Sequence, residues 1–233
     1  MLQSGRFESI HGLLEMFVGH LAVSLGAKVV EPRVPLSVLV AASFGLDLLW
    51  PLLVVAGIET VRVAPGDTSF TPLEFESYPW SHSLLLALVW GGAAWLLVYR
   101  TVRRQRAALV VAIVLVSHWV LDFVTHRPDL PLWPAGPKVG LGLWNSVPAT
   151  ILLEGAFFSA AIAMYTRAQR PLDGIGKWAF RALVALTTVI WIAQPWSPPP
   201  PGASAVAIAG MVLWLLPWWA SWIDRHRAVD GAA

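Results

Sequence analysis

The chain contains no cysteine among its 233 residues. Disulfides and thiolate metal sites are thereby excluded, and any bound metal must rest on His, Asp or Glu. Charge is scarce as well. Asp, Glu, Lys and Arg make up 13% of the chain against 57% hydrophobic residues, with a mean hydropathy of +0.64, a balance far outside that of soluble domains. Long basic runs interleaved with stacking aromatics are missing, so the net charge of +2 points to no nucleic-acid partner. There is no His-Glu-x-x-His helix, and Ala41-Ala42-Ser43-Phe44-Gly45 falls inside an apolar run, not at the strand-to-helix turn that a serine nucleophile needs. Met1 to Glu15 lacks the basic region, long apolar centre and small-residue cleavage site of a signal peptide. Met16 opens the first apolar stretch, so a start there is expected, with residues 1–15 an extension of no catalytic importance. No internal repeat is evident.

What the chain has is apolar length. Crossing the hydrocarbon takes about 17 to 25 residues, and seven such runs are expected: Leu13 to Val30, Leu36 to Gly57, Ser81 to Tyr99, Ala107 to Thr125, Val147 to Tyr165, Trp178 to Gln194 and Val206 to Ile223. The expected fold is therefore all-α, a polytopic transmembrane bundle forming one domain over residues 16–228, with Ser197 to Gly202 a Pro-rich connection that cannot be helical. Lys28 and Arg33, Arg100 to Arg106, Arg167 to Arg181, and Arg225 with Arg227 fall at alternate connections and the C-terminal end. Only Arg6, Arg62, Arg127 and Lys138 lie on the other side. The positive-inside rule then places the N-terminus outside and the C-terminus in the cytoplasm, in a bacterial inner membrane. Trp50, Trp80, Trp133 and Trp144, among 14 tryptophans, suit interfacial anchoring.

Ionisable residues inside such runs mark function by default. Ser117-His118-Trp119-Val120-Leu121-Asp122-Phe123-Val124-Thr125-His126 places His118, Asp122 and His126 within about 80° of one helix face, climbing roughly 6 Å per step. His20, Asp47, His82 and Glu154 fall in the outer half, or near the middle, of four other runs. Each alone would more readily be a hydrogen-bonded structural residue. Their gathering at one depth on five helices is economically explained by a shared metal or proton site. His11 and His226 sit at the ends and are expected to be solvated. Ile58 to Trp80 and Arg127 to Ser146, the longest connections, both lie on the outer side and are where functional backbone is expected.

The order of these motifs resembles the YdjM-like family of predicted membrane-bound metal-dependent hydrolases. The matching pieces are Gly19-His20, Leu46-Asp47, Ser81-His82-Ser83-Leu84-Leu85, Ser117-His118 through Leu121-Asp122 and Thr125, and then Pro131-Leu132-Trp133-Pro134, over roughly the first 145 residues. The last three runs match only in being hydrophobic. Family members commonly carry a second Asp and a His just after the position of Asp47, where this chain has Leu48, Leu49 and Trp50. His126 stands where Pro is more usual, and Tyr78-Pro79-Trp80 replaces a basic stretch. The resemblance is that of a divergent subgroup.

The resemblance implies a hydrolase using a divalent ion, zinc before manganese, iron or nickel. The expected ligands are His20, Asp47, His82, His118 and Asp122, with His126 or Glu154 as general acid/base. Arg127 and Lys138 are expected to meet an anionic ester or phosphoester, lipid-like molecules included, from the outer face. About 12 Å of helix rise between His118 and His126 argues against one ion shared by both. Either Asp122 bridges two ions or His126 exchanges protons from a water-facing helix end. Gly136-Pro137-Lys138-Val139-Gly140-Leu141-Gly142 reads first as a surface turn and second as backbone able to approach a substrate. The rival function is a proton or metal-ion transporter, which the same intramembrane groups would serve. Against it stand the lack of an inverted repeat and of a polar trail to the cytoplasmic side. A closed structural metal site is the third alternative. The sequence does not set substrate or oligomeric state.

Overall fold

In a computed structural model, residues 17–230 are described. The expected extension, its junction at Met16 and His11 lie outside them. Among the described residues five helices are long and apolar enough to cross a membrane, because in hydrocarbon a chain can satisfy its own peptide groups only as a helix or a closed barrel. These are α5 (Leu84–Val102), α6 (Gln105–Thr125), α7 (Val147–Ala168), α8 (Gly174–Ala193, continued by a short 3-10 turn to Trp196) and the continuous stretch 203–225. That last stretch comprises α9 (Ala203–Gly210), a 3-10 turn and α10 (Leu215–Arg225). A sixth span is a broken pair, α2 (Leu36–Ser43) and α3 (Gly45–Val55), bent by 52°. The first expected run appears as α1 (Phe17–Val30), 14 residues, about 21 Å of rise and short of a full crossing.

α1 packs on α7 and α2, α5 forms a tight hairpin with α6, and α10 closes against α2. α5 turns into α6 through Arg103 in the left-handed region (φ 55°). Gly91 brings these two helices together, since a Cβ there would meet the Val116 side chain. Outward faces carry bare aliphatic side chains such as Leu97 and Leu152, about 70% exposed, as expected where lipid is the solvent. At the end where α3 stops and α6 finishes, the hairpin β1 (Thr60–Val63) with β2 (Leu73–Ser77) lies beside a second small ladder, β3 (Leu130–Pro131) with β4 (Lys138–Val139). Phe70 N donates to Trp144 O and Ser69 Oγ to Asn145 O, tying the two long connections into one cover. The glycine-containing segment proves structural: Leu141 N and Gly142 N donate to Phe123 O and His126 O, capping the end of α6. A Cβ on Gly140 would strike the carbonyls of Arg127 and His126, which is the close approach that requires glycine there.

Candidate metal centre

Beneath that cover, five ionisable side chains from four helices meet. His118 and Asp122 stand one turn apart on the inward face of α6, and His20 arrives from α1. Asp47 sits in the first turn of α3, where the break after α2 redirects the chain. His82 ends α4 (Pro79–His82), a single turn started by a proline and separated from α5 by extended Ser83. His82 Nε2 lies 3.4 Å from Asp47 Oδ1, 3.7 Å from Asp122 Oδ2 and 3.3 Å from His118 Nε2. His118 Nε2 lies 3.5 Å from Asp47 Oδ1 and 3.2 Å from Asp122 Oδ2. A tetrahedral ion with bonds of about 2.0–2.1 Å holds its ligand atoms about 3.3–3.4 Å apart. The distances that His82, His118 and Asp47 make with one another match that spacing, and these three donor atoms form one group within 4.8 Å.

Their protonation reinforces the fit. His118 Nδ1 is 2.7 Å from Ser43 O, and a carbonyl only accepts, so Nδ1 carries a hydrogen and, in the neutral ring, Nε2 presents a lone pair. The α2–α3 break explains the partner: among the described residues no backbone N–H of α3 bonds Ser43 O, which is left to His118. His82 is set the same way. Ser81 Oγ donates to Glu59 Oε2 at 2.6 Å and is 2.7 Å from His82 Nδ1, so it accepts from Nδ1–H and leaves Nε2 bare. Glu59 is held by the N–H groups of Trp80 and Ser81, both at 2.8 Å. With both imidazoles neutral, four acceptors face one another without a donor. A cation resolves that arrangement.

His20 stands one step aside. Its ring stacks on that of His118, centroids 3.8 Å apart, and its Nε2 reaches the other oxygen of Asp122, Oδ1, at 3.3 Å. His20, His118 and Asp122 form one triad of donors within 4.8 Å, and Asp47, His82 and His118 another. His20 is therefore placed either to steer Asp122 or to ligate on its far oxygen. Four of the five side chains are at most 6% exposed, whereas that of Asp47 keeps 21% and is the most exposed of the set.

The remaining expected residues scatter. His126 is buried at 4% exposure, not water-facing: α6 ends at Thr125 and the cover folds over it. Its Nδ1 lies 3.0 Å from Asp129 Oδ1, to which Tyr78 also donates at 2.9 Å. Burial works against ionisation of Asp129, but His126, Tyr78 and Arg127 together hold it below the usual carboxylate range. The Tyr78 ring separates the layers, 5.3 Å from His82 and 6.1 Å from His126. Arg127 is engaged by Asp67, Asp129 and Glu74, and Lys138 Nζ donates to Glu76 O at the surface, so neither is directed at the centre. Glu154, 3% exposed, has both oxygens without a hydrogen-bond partner among the described residues. Its electrostatic neighbours are the indoles of Trp144 and Trp191 and the carboxyl of Asp122. Sequence reasoning missed Glu59, Ser43, Tyr78 and Asp129. For the first two no local signal exists, whereas Arg127-Pro128-Asp129 directly after His126 is a turn pattern that would have found the fourth.

The fold and this cluster define an integral membrane helical protein with a buried histidine–carboxylate centre able to hold a metal. A family model for the YdjM inner membrane protein matches residues 79–197. The chain belongs to that family. The match spans His82, His118, Asp122 and Glu154 and continues through α8, whereas His20 and Asp47 precede it, so it lies further along the chain than the motif resemblance. Comparison with curated proteins and with solved structures returns no match.

Proposed function

We propose that the protein is a membrane-embedded metal-dependent hydrolase acting on an ester or phosphoester that reaches the centre from the outer face. The observation that carries this reading is the Asp47–His82–His118 triad, three donor atoms 3.3–3.5 Å apart that leave a fourth position for water, together with the buried carboxyl group of Glu154, which has no hydrogen-bond partner among the described residues. Zinc is the ion best suited to it. A divalent ion held there would supply Lewis acidity and bring the pKa of a water towards about 7. Asp122 orients the imidazoles of His118 and His20 and compensates charge. Glu154 is the group that takes or returns a proton at the reacting oxygen, its carboxyl lying near the indoles of Trp144 and Trp191. His126 acts one layer out, where its bond to Asp129 fixes the ring. The test is hydrolysis of bis-p-nitrophenyl phosphate, p-nitrophenyl butyrate and mixed phospholipid vesicles by zinc-loaded protein. No turnover of any of them above that of a His118→Ala control would reject the reading.

Ser81→Ala is expected to weaken zinc about 10–100-fold, as loss of an outer partner of a ligating histidine does. Competition against a chromophoric chelator reads this directly. An affinity within twofold of wild type would remove the Glu59–Ser81 relay from the site.

One observation favours the transporter as a second reading, and it corrects the expectation of no polar trail. His20, Ser24 and Lys28 line one face of α1. Ser24 Oγ lies 2.5 Å from Ser43 Oγ, and Lys28 Nζ 2.8 Å from Asp224 at the opposite end of the bundle. Pyranine-loaded liposomes separate the readings: proton or zinc flux lost in Ser24→Val, without hydrolysis, would support conduction.

The orientation proposed from the basic residues puts Pro131 to Ser146 outside and Arg100 to Arg106 inside. Because the chain has no native cysteine, Leu141→Ser and Arg104→Ser serve as mock controls for cysteine placed at Leu141 or Arg104. An impermeant maleimide on intact cells is expected to label the first and not the second; the reverse result inverts the topology.

A further inference from the structure

At the end of the bundle away from the metal centre, α7 and α8 splay around a groove of about 460 Å³. Its floor is apolar, formed by Ile162, Phe180, Val184 and Ala185, and its rim carries Lys177, Arg181 and Arg227. Arg227 belongs to β6 (Arg227–Val229), which pairs with β5 (Gln169–Pro171) after α7 and lays the C-terminal segment across α8. Gly176 makes room for that crossing, since a Cβ there would collide with His226 O.

Arg227 is 9% exposed. Its two Nη groups donate to Gly176 O and Gln169 O, and its guanidinium sits 5.2 Å and 5.0 Å from the rings of Tyr165 and Phe180. Its Nε has no partner among the described residues. None of the three cations has a carboxylate within 4 Å among the described residues. The nearby acids are engaged elsewhere, Asp173 with His226 and Gly176 N, and Asp230 with Arg170. A buried guanidinium without a counter-charge is costly, so an anion at the groove mouth would be bound where compensation is lacking.

We infer that this groove binds the headgroup of an anionic phospholipid, with an acyl chain lying along the apolar floor between α7 and α8. Two features favour a lipid over a free phosphate. The cations stand at one end of an apolar channel, and Trp178, 62% exposed with Lys177 and Arg181 over its ring at 5.5 Å and 5.2 Å, marks the interfacial level at which headgroups lie. Basic pockets between membrane helices recognise anionic headgroups in this way.

The test is native mass spectrometry of the purified full chain in mild detergent with equal dioleoylphosphatidylglycerol and dioleoylphosphatidylcholine. Wild type is expected to retain one phosphatidylglycerol in preference to phosphatidylcholine. Lys177→Ala with Arg181→Ala, both exposed and clear of the metal centre, is expected to lower that preference by about 30-fold, the equivalent of about 1 kcal/mol for each cation removed. The charge-keeping pair Lys177→Arg with Arg181→Lys should preserve it. Equal retention by wild type and the double alanine variant would overturn the site. Inorganic phosphate that displaces phosphatidylglycerol at millimolar concentration would overturn the lipid assignment.

Discussion

His118→Ala is expected to abolish retention of a divalent ion by the purified protein. His118 belongs to both donor triads, and among the described residues no other side chain approaches Asp47, His82 and Asp122 together at 3.2–3.5 Å. Asp122→Asn should have nearly as large an effect, because it replaces one oxygen of a carboxylate placed between His118 and His20 with a donor facing two imidazoles. Plasma emission spectroscopy after dialysis gives the stoichiometry. Wild type should hold about one ion per chain at the Asp47–His82–His118 triad. His20→Ala then decides the outlying histidine: an unchanged count makes it the residue that steers Asp122, and the loss of one of two ions makes it a ligand of a second. Full occupancy in both His118→Ala and Asp122→Asn would remove the proposed centre.

The second large effect is expected at Glu154. Glu154→Gln keeps the shape of the side chain and removes only its capacity to exchange a proton, so bound ion should be unchanged while turnover falls by about 10²–10⁴-fold, the usual contribution of a positioned acid or base. His126→Gln should fall by less, since a ring anchored on Asp129 and separated from His82 by Tyr78 touches none of the ligands. The two variants rank the candidates. If His126→Gln costs more than Glu154→Gln with the ion retained, the proton passes through the His126–Asp129 pair and the role given to Glu154 is wrong.

Much of this was legible in the sequence because hydrocarbon imposes a simple rule on local composition. Runs of apolar residues have to become helices to satisfy their own peptide groups, and α5 to α8 follow at lengths close to those the composition predicts. For the same reason a polar side chain in such a run is conspicuous, and His20, Asp47, His82, His118 and Asp122 could be named from their types and depth alone. Local composition says nothing of where a helix bends or which carbonyl it leaves free. The break between Ser43 and Gly45 that gives His118 its tautomer, and the one-turn α4 that aims His82 inward, arise from packing. Glu59 reaches Ser81 across 22 positions, in a connection where a glutamate is unremarked. Arg127 looked like an anion binder because its charge is visible in the sequence, while the three carboxylates that neutralise it come from two separate connections. Residue type and period determined which groups this protein would bury; only the tertiary contacts between distant segments decided which of them share a proton, a counter-charge or a ligand atom.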